Sequence, residues 1–127
     1  MPVQGLTLDS GALIGIERGS PTVRALVEQA VRRGWQIDIV PGVVAQAWRG
    51  GTRQARLARF LQSPDVEVGM FDLPTARAVG EVCGRTGHSD VIDVHVAVHA
   101  RLHGHAVVTS DGGDLRSVDP SLPLIEI

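Results

Sequence analysis

The chain has 127 residues, 43% of them hydrophobic, and a formal net charge of −2, which predicts one compact domain over residues 1–127 and excludes two full-sized domains. Its single cysteine excludes an internal disulfide framework, and no apolar run reaches the ~18 residues that would cross a membrane. All 12 basic residues are arginines; residues 1–60 hold eight of them beside four acidic residues, whereas residues 61–127 hold four beside ten.

The first residues lack the basic and apolar segments of a signal peptide, so we expect a cytoplasmic protein with no membrane association.

The first half of the chain alternates predicted strands and helices. The predicted elements are, in order, a strand over residues 5–9, a helix capped by Ser10 that runs through Ile16, a helix from Ser20 to Gly34, a strand over residues 35–40, a helix from Pro41 through Ala47 and, after Gly50-Gly51, an arginine-rich helix ending near Gln62.

The arginine-rich segment is open to two interpretations. Arg49, Arg53, Arg56 and Arg59 recur at helical spacing and could form a solvated helix face. Because arginine binds phosphate in a bidentate manner, the same residues could instead form a basic rim that holds the backbone of a polyanion. In the second interpretation Arg49, Arg53 and Arg56 are the candidate residues for binding that polyanion.

The second half continues the alternation. Its predicted elements are a strand over residues 66–71, a helix over residues 73–85, a helix over residues 90–103, a strand over residues 106–109, a turn at Gly112-Gly113 and a strand over residues 124–127. Strands that alternate with helices predict an α/β domain with a mostly parallel sheet covered on both faces.

Four aspartates are placed where such a sheet would gather them. Asp9 closes the first strand and Asp111 follows the strand over residues 106–109, and ligands of these sheets bind at the carboxyl ends of the strands. Asp90 and Asp93 lie one turn apart at a helix start; Asp90 could simply cap that helix, whereas Asp93 lies in an apolar helix and needs a partner. Converging carboxylates repel one another without a cation, so we predict a site for Mg²⁺ or Mn²⁺.

Histidines repeat on the same predicted helix. His95, His99 and His103 recur every four residues, a spacing that can bind zinc or nickel. No glutamate-bearing His-Glu-x-x-His motif accompanies them, and we expect their face at a surface or subunit contact rather than in a physiological metal site. His88 and His105 are predicted to be loop or strand-edge residues.

Three motifs together resemble those of PIN domains, in particular the VapC toxins of bacterial toxin-antitoxin pairs. They are Leu6-Thr7-Leu8-Asp9-Ser10, the helical segment over residues 93–100, and Val107-Val108-Thr109-Ser110-Asp111 followed by Asp114-Leu115. Their order and spacing cover nearly the whole chain. The resemblance implies a five-stranded, mostly parallel sheet in a three-layer α/β/α sandwich, and an endoribonuclease that depends on Mg²⁺ or Mn²⁺.

The resemblance also implies roles for individual residues. Asp9, Asp93 and Asp111 would be catalytic metal ligands that activate a water, with Asp90 as a further metal ligand. Ser10 and Thr109 would support them through their hydroxyls, although helix capping and strand propensity also explain these two residues. The family usually carries a glutamate where this chain has Gln46, so Asp90 would restore the missing charge. Asp114 is expected to cap the turn before Leu115.

The same resemblance implies partners for the chain and leaves two alternative functions open. VapC-like proteins imply a homodimer, an RNA substrate and a cognate VapB-like antitoxin that blocks the acidic site. Because Gln46 brings no charge, one alternative is a catalytically weakened PIN-like protein that binds RNA without cutting it. Another is a metal-dependent enzyme on a similar sheet that acts on DNA or on a small phosphoester.

Overall fold

The strands of the computed structural model, which describes residues 2–127, form one five-stranded sheet. All four neighbouring pairs are parallel, so the predicted sheet is confirmed. Its strands are β1 (Gly5–Leu8), β2 (Gln36–Ile39), β3 (Val66–Val68), β4 (Ala106–Thr109) and β5 (Leu124–Glu126), in the spatial order β3-β2-β1-β4-β5.

Seven α-helices connect these strands. They are α1 (Ser10–Arg18), α2 (Pro21–Arg32), α3 (Pro41–Ala47), α4 (Ala55–Leu61), which follows a 3₁₀ turn at Thr52–Gln54, α5 (Leu73–Thr86), α6 (Val91–His103) and α7 (Gly112–Val118). The predicted turn at Gly112-Gly113 is wrong, because these two glycines begin α7. Buried Leu115 anchors this short helix in the core, which outweighs the low helix propensity of the glycines.

The order of the strands creates a crevice at one edge of the sheet. The chain passes from β1 to β2 and β3 in one direction and then returns to β4 and β5 on the other side of β1. Right-handed crossovers therefore put α1–α4 on one face and α5–α7 on the other, which makes three layers. The direction in which successive strands are added to the sheet reverses between β1 and β4. Ligands of such sheets bind at that point, beyond the carboxyl ends of the strands.

The core lies on both faces of the central strands. Every residue of β1 and of β4 is buried, and the hydrophobic core cluster extends from Leu13 of α1 to Val96 of α6. Polar residues are nevertheless buried in the middle of the sheet, among them Thr7, Asp38 and Thr109. None of the helices formed by residues 2–127 is long and apolar enough to cross a membrane.

Candidate active site

Asp9 is held in a fixed orientation just beyond β1. It is buried, and its Oδ1 accepts a hydrogen bond from the Ser10 backbone N–H (2.8 Å) at the start of α1. Its Oδ2 accepts a hydrogen bond from the Thr109 hydroxyl (3.0 Å) at the end of β4. Each carboxylate oxygen retains a second lone pair for a ligand. Ser10 thus supports Asp9 through its backbone, and Thr109 through its side chain.

Thr109 also connects Asp9 to Asp111. The Asp111 backbone N–H donates to the Thr109 hydroxyl oxygen (3.0 Å), and that hydroxyl donates in turn to Asp9. Asp111 is exposed and precedes α7, where its side chain makes no capping hydrogen bond. The structure therefore places Asp9 and Asp111 on the two sides of the crevice between β1 and β4, with Thr109 joining them.

Asp90 caps α6 and leaves Asp93 facing other carboxylates. The Asp90 Oδ1 accepts hydrogen bonds from the backbone N–H groups of Ile92 (3.0 Å) and Asp93 (3.1 Å). Burial, together with the negative charges of Asp90, Asp9 and Asp114, raises the pKa of the Asp93 carboxyl to about 6. Asp93 is thus a partly buried carboxylate near three others, which is typical of functional sites.

Asp114 belongs to this group, although it was expected only to cap a turn. It lies in the first turn of α7 rather than capping a turn before Leu115, and its charge is one of those that raise the pKa of Asp93. The sequence signal was available in the spacing of Asp111 and Asp114, three residues apart. That spacing becomes informative only when a helix is assigned there. We call Asp9, Asp93, Asp111 and Asp114 the acidic pocket.

Gln46 lies in α3, which begins at the same edge of the sheet. Its side chain is exposed, one turn after Gly42, and a Cβ at Gly42 would lie 2.9 Å from the Ile92 side chain of α6. Gln46 is therefore on the side of α3 that faces the start of α6. An amide can offer an oxygen to a cation or to a water molecule from this position, but no charge.

The carboxylates of the acidic pocket are spaced apart rather than gathered around one point. Among the residues that the structure describes, three metal-ligating groups come within 4.8 Å of one another only at Asp38, His99 and His103. Mutual repulsion favours the wider spacing of the pocket carboxylates, and the same repulsion raises the pKa of Asp93. A set of hard oxygen ligands with excess negative charge fits Mg²⁺ or Mn²⁺.

The predicted RNA-binding arginines do not form one continuous face. Arg49 folds back onto the end of α3, where its Nη1 donates to the carbonyl oxygens of Ala45 (2.9 Å) and Trp48 (2.7 Å). Arg56 donates to the Glu17 carbonyl oxygen (3.4 Å) at the end of α1, whereas Arg53 is exposed in the 3₁₀ turn. Arg56 also lines a surface cavity of about 310 Å³ with Arg24 and Arg59.

The histidines of α6 follow Asp93 along the helix, with His99 and His103 in its carboxyl half, and their predicted exposure is partly wrong. His95 is buried and packs its ring 4.7 Å from that of Phe71, while His99 is half-buried and contacts Asp38 of β2. His105, predicted at a strand edge, is also buried, with its Nδ1 3.0 Å from the Thr7 hydroxyl. The face that carries them packs against the sheet, whose polar side chains supply partners.

The buried histidines and Asp38 differ in their protonation states. Burial lowers the pKa of His95 and of His105, which favours the neutral imidazoles. Burial raises the pKa of Asp38, but the hydrogen bond with His99 and the charges of His99 and His105 bring it below its ordinary value, so Asp38 is ionised. Asp38 was not predicted from the sequence; a charged residue inside a strand buried on both faces was the available signal.

Solved structures of similar fold cover nearly the whole chain. One is FitAB bound to the IR36 DNA fragment, with a TM-score of 0.65 and 17% identity over 95% of this chain and 94% of that chain. A second is FitAcB from Neisseria gonorrhoeae, with a TM-score of 0.62 and 18% identity over 95% and 96%. A third is VapBC2 from Rickettsia felis bound to a DNA fragment from their promoter, with a TM-score of 0.72 and 18% identity over 96% and 98%.

No protein-family model matches the chain, and no curated protein matches it. At these identities the likeness to solved structures concerns the fold. The parallel five-stranded sheet, its seven helices and the agreement with VapBC2 and FitAB confirm the predicted PIN-like architecture and the structural resemblance to VapC-type proteins.

Proposed function

We propose that the chain is a metal-dependent endoribonuclease of the VapC kind that hydrolyses RNA phosphodiester bonds at the acidic pocket. The observation that carries this proposal is the environment of Asp93, whose pKa is raised to about 6 by burial and by three neighbouring carboxylates. Such a concentration of negative charge repels a phosphate unless a cation binds first. The fold, similar to that of VapBC2, supports the same function.

Asp9, Asp93 and Asp111 would hold Mg²⁺ or Mn²⁺, with Asp90 and Asp114 adding negative charge at the rim. When bound, the cation lowers the pKa of a coordinated water and offsets the charge of the phosphate. The chain's own contribution is positioning: Thr109 fixes the Asp9 carboxylate and the Asp111 backbone, and the start of α6 holds Asp93 near Asp9. No protein nucleophile is required.

The proposal includes partners. Exposed Arg53 and the arginines of the cavity between α1, α2 and α4 would bind the RNA backbone, and their contribution would weaken with salt. The similarity to VapBC2 supports a VapB-like antitoxin, and an antitoxin side chain with positive charge would be attracted to the acidic pocket. A homodimer is the assembly that we propose for the free chain.

Cleavage assays on a panel of RNAs test the proposal. We expect cleavage with Mg²⁺ or Mn²⁺, none with chelator, and a loss of at least about 100-fold in Asp93→Asn. Asp65→Asn is the matched control, because it removes one exposed carboxylate from a loop outside the pocket. RNA binding without cleavage would favour the weakened RNA-binding protein instead. Cleavage of the same sequences as DNA only would favour another phosphodiesterase.

A further inference from the structure

A second group of metal-ligating side chains lies apart from the acidic pocket. Asp38 is in the middle of β2, and His99 and His103 lie one turn apart in the carboxyl half of α6. Because α6 begins at the acidic pocket and returns along the sheet, its last turns reach the opposite edge, where the chain enters β4 at His105. The two groups are therefore at opposite ends of one helix.

His103 makes a hydrogen bond that metal-ligating histidines commonly make. The Nδ1 of His103 lies 2.8 Å from the carbonyl oxygen of His99, and since a carbonyl can only accept, Nδ1 is the donor. The Nε2 of neutral His103 therefore keeps its lone pair free. Ligating histidines commonly donate their second ring N–H to a backbone carbonyl in this way. The rings of His99 and His103 stack with centroids 4.1 Å apart and 26° between their planes, so one ring must turn before both ring nitrogens can point at one ion.

Asp38 supplies an anionic oxygen that lacks a partner. Asp38 is 6% exposed, and its Oδ2 lies 2.7 Å from the His99 Nε2. Its Oδ1 is buried and has no hydrogen-bond partner within the part of the chain that the structure describes. A buried carboxylate oxygen without a partner is unfavourable by about 1–3 kcal/mol. A cation bound to the carboxylate would offset its buried negative charge.

We propose that Asp38, His99 and His103 form a binding site for a divalent transition-metal ion of the zinc class, which joins β2 to the last turns of α6. Their ligand atoms already lie within 4.8 Å of one another. Two imidazoles and one carboxylate are a ligand set of zinc sites, whereas Mg²⁺ prefers oxygen ligands. Exposed His103 gives the ion a route from solvent and leaves a fourth position for water.

Binding requires local movement of the two histidines. The ion would take the place of the His99 Nε2 proton, which would shift to Nδ1 of the same ring, and with bonds of roughly 2.0–2.1 Å the separation of the His99 Nε2 and the Asp38 Oδ2 would widen from 2.7 Å to roughly 3.3 Å. His105, whose Nδ1 is 3.9 Å from the same oxygen, contacts the Thr7 hydroxyl and lines the site from the sheet side. Binding would cross-link two elements that are distant in sequence and raise the thermal stability of the fold.

Zinc titrations of the full chain, prepared without a histidine tag, test this site without any assay of RNA cleavage. Competition with a chromogenic chelator should show one Zn²⁺ per chain, and saturating Zn²⁺ should raise the Tm by roughly 5–10 °C. His103→Gln, an exposed change that preserves the fold, should weaken Zn²⁺ binding at least about tenfold and abolish the Tm increase. Co²⁺ should give the intense visible absorption of a four-coordinate site in wild type only.

Two matched variants locate the ion. His88→Gln removes a histidine from the loop before α6, and Asp93→Asn removes a carboxylate of the acidic pocket; both should keep the wild-type Zn²⁺ affinity. Absence of stoichiometric Zn²⁺ binding by the wild type would overturn the proposal. So would unchanged affinity in His103→Gln, or loss of binding in Asp93→Asn, since the ion would then lie in the acidic pocket.

Discussion

Asp93 ties the stability of the chain to pH. Its pKa in the folded chain, about 6, lies above the ordinary value of 3.8, so between these values the folded state binds more protons than the unfolded state. The free energy of unfolding therefore falls as the pH rises from about 4 to about 6 and stays low above that range. A bound cation would offset this loss by favouring the ionised carboxylate.

Asp93→Asn should remove this pH-dependent loss. We expect the variant to be more stable than wild type by about 1 kcal/mol at pH 7.5, because solvent screens part of the repulsion among these partly exposed carboxylates, and equally stable near pH 4. Urea unfolding at both pH values without divalent metal measures the difference. Addition of Mg²⁺ at pH 7.5 should stabilise wild type more than the variant. A variant less stable than wild type at pH 7.5 would contradict the repulsion.

Gln46 and Asp90 offer a test of how the missing glutamate is compensated. Asp90→Asn keeps a good N-cap for α6 while removing a charge near Asp93, so it should weaken Mg²⁺ binding without unfolding the helix. Gln46→Glu adds a carboxylate from α3. If the two positions share a cation, the double variant should recover the affinity that Asp90→Asn loses, with an interaction energy above about 0.5 kcal/mol.

Metal titrations of the four proteins decide this point. Strictly additive changes in Mg²⁺ affinity would mean that Gln46 and Asp90 act on different ions or on none. A matching change at exposed Ala45 of the same helix, Ala45→Glu, controls for the general effect of one more negative charge. Equal gains from Ala45→Glu and Gln46→Glu would count against a specific place for Gln46 in the pocket.

At the scale of elements, the order of strands and helices was readable from the sequence because apolar periodicity and glycine and proline positions agreed along most of the chain. Helix α7 was missed since its first two residues, Gly112 and Gly113, are those of a turn and only its packing through Leu115 makes it a helix. The partners of His95 and His99 were also missed. They lie on β2 and beyond β3, and pairing across elements leaves no trace in the periodicity of one helix.

Helix α7 gives a prediction because it brings Asp114 near Asp93. Asp114→Asn should lower the pKa of Asp93, since one of the negative charges that raise it is removed. We also expect Mg²⁺ affinity to fall by about threefold to tenfold, because Asp114 would act on the ion as a nearby charge and not as a direct ligand. Carboxyl ¹³C NMR titration measures the pKa directly. Asp65→Asn should leave it unchanged, and an unchanged value in Asp114→Asn would mean that α7 does not reach the pocket in solution.

At the scale of the molecule, opposite charges concentrate in different parts of the fold. Most arginines belong to residues 1–60 and most acidic residues to residues 61–127. The helices of the first half carry the arginine-lined cavity, and α6 and α7 carry the acidic pocket with β1. A polyanion held by the arginines would extend toward a site that repels it unless cations are bound. RNA affinity should therefore depend on both salt and divalent metal.

The outer face of α5 and α6 carries an apolar surface that fits association between two chains. A groove of about 520 Å³ lies between these helices and α7, lined in part by Ala78, Val82, Ala97, Val98 and Leu102. Leu102 is 77% exposed, unusual for a large aliphatic side chain on a helix. Burying it in the groove of a second copy would stabilise a symmetric dimer, in which each chain offers the same surface to the other.

We therefore expect a homodimer at micromolar concentration and a monomer when Leu102→Glu places a charge in this apolar contact. Light scattering at several concentrations measures both masses. Ala25→Glu, at another exposed helical position, on α2 in the opposite layer, should leave the dimer intact. A monomeric wild type would contradict the homodimer. A dimer that persists in Leu102→Glu would place the contact elsewhere. The next surface to change would then be the segment Met70-Phe71 ahead of α5, because its apolar side chains are also exposed to solvent.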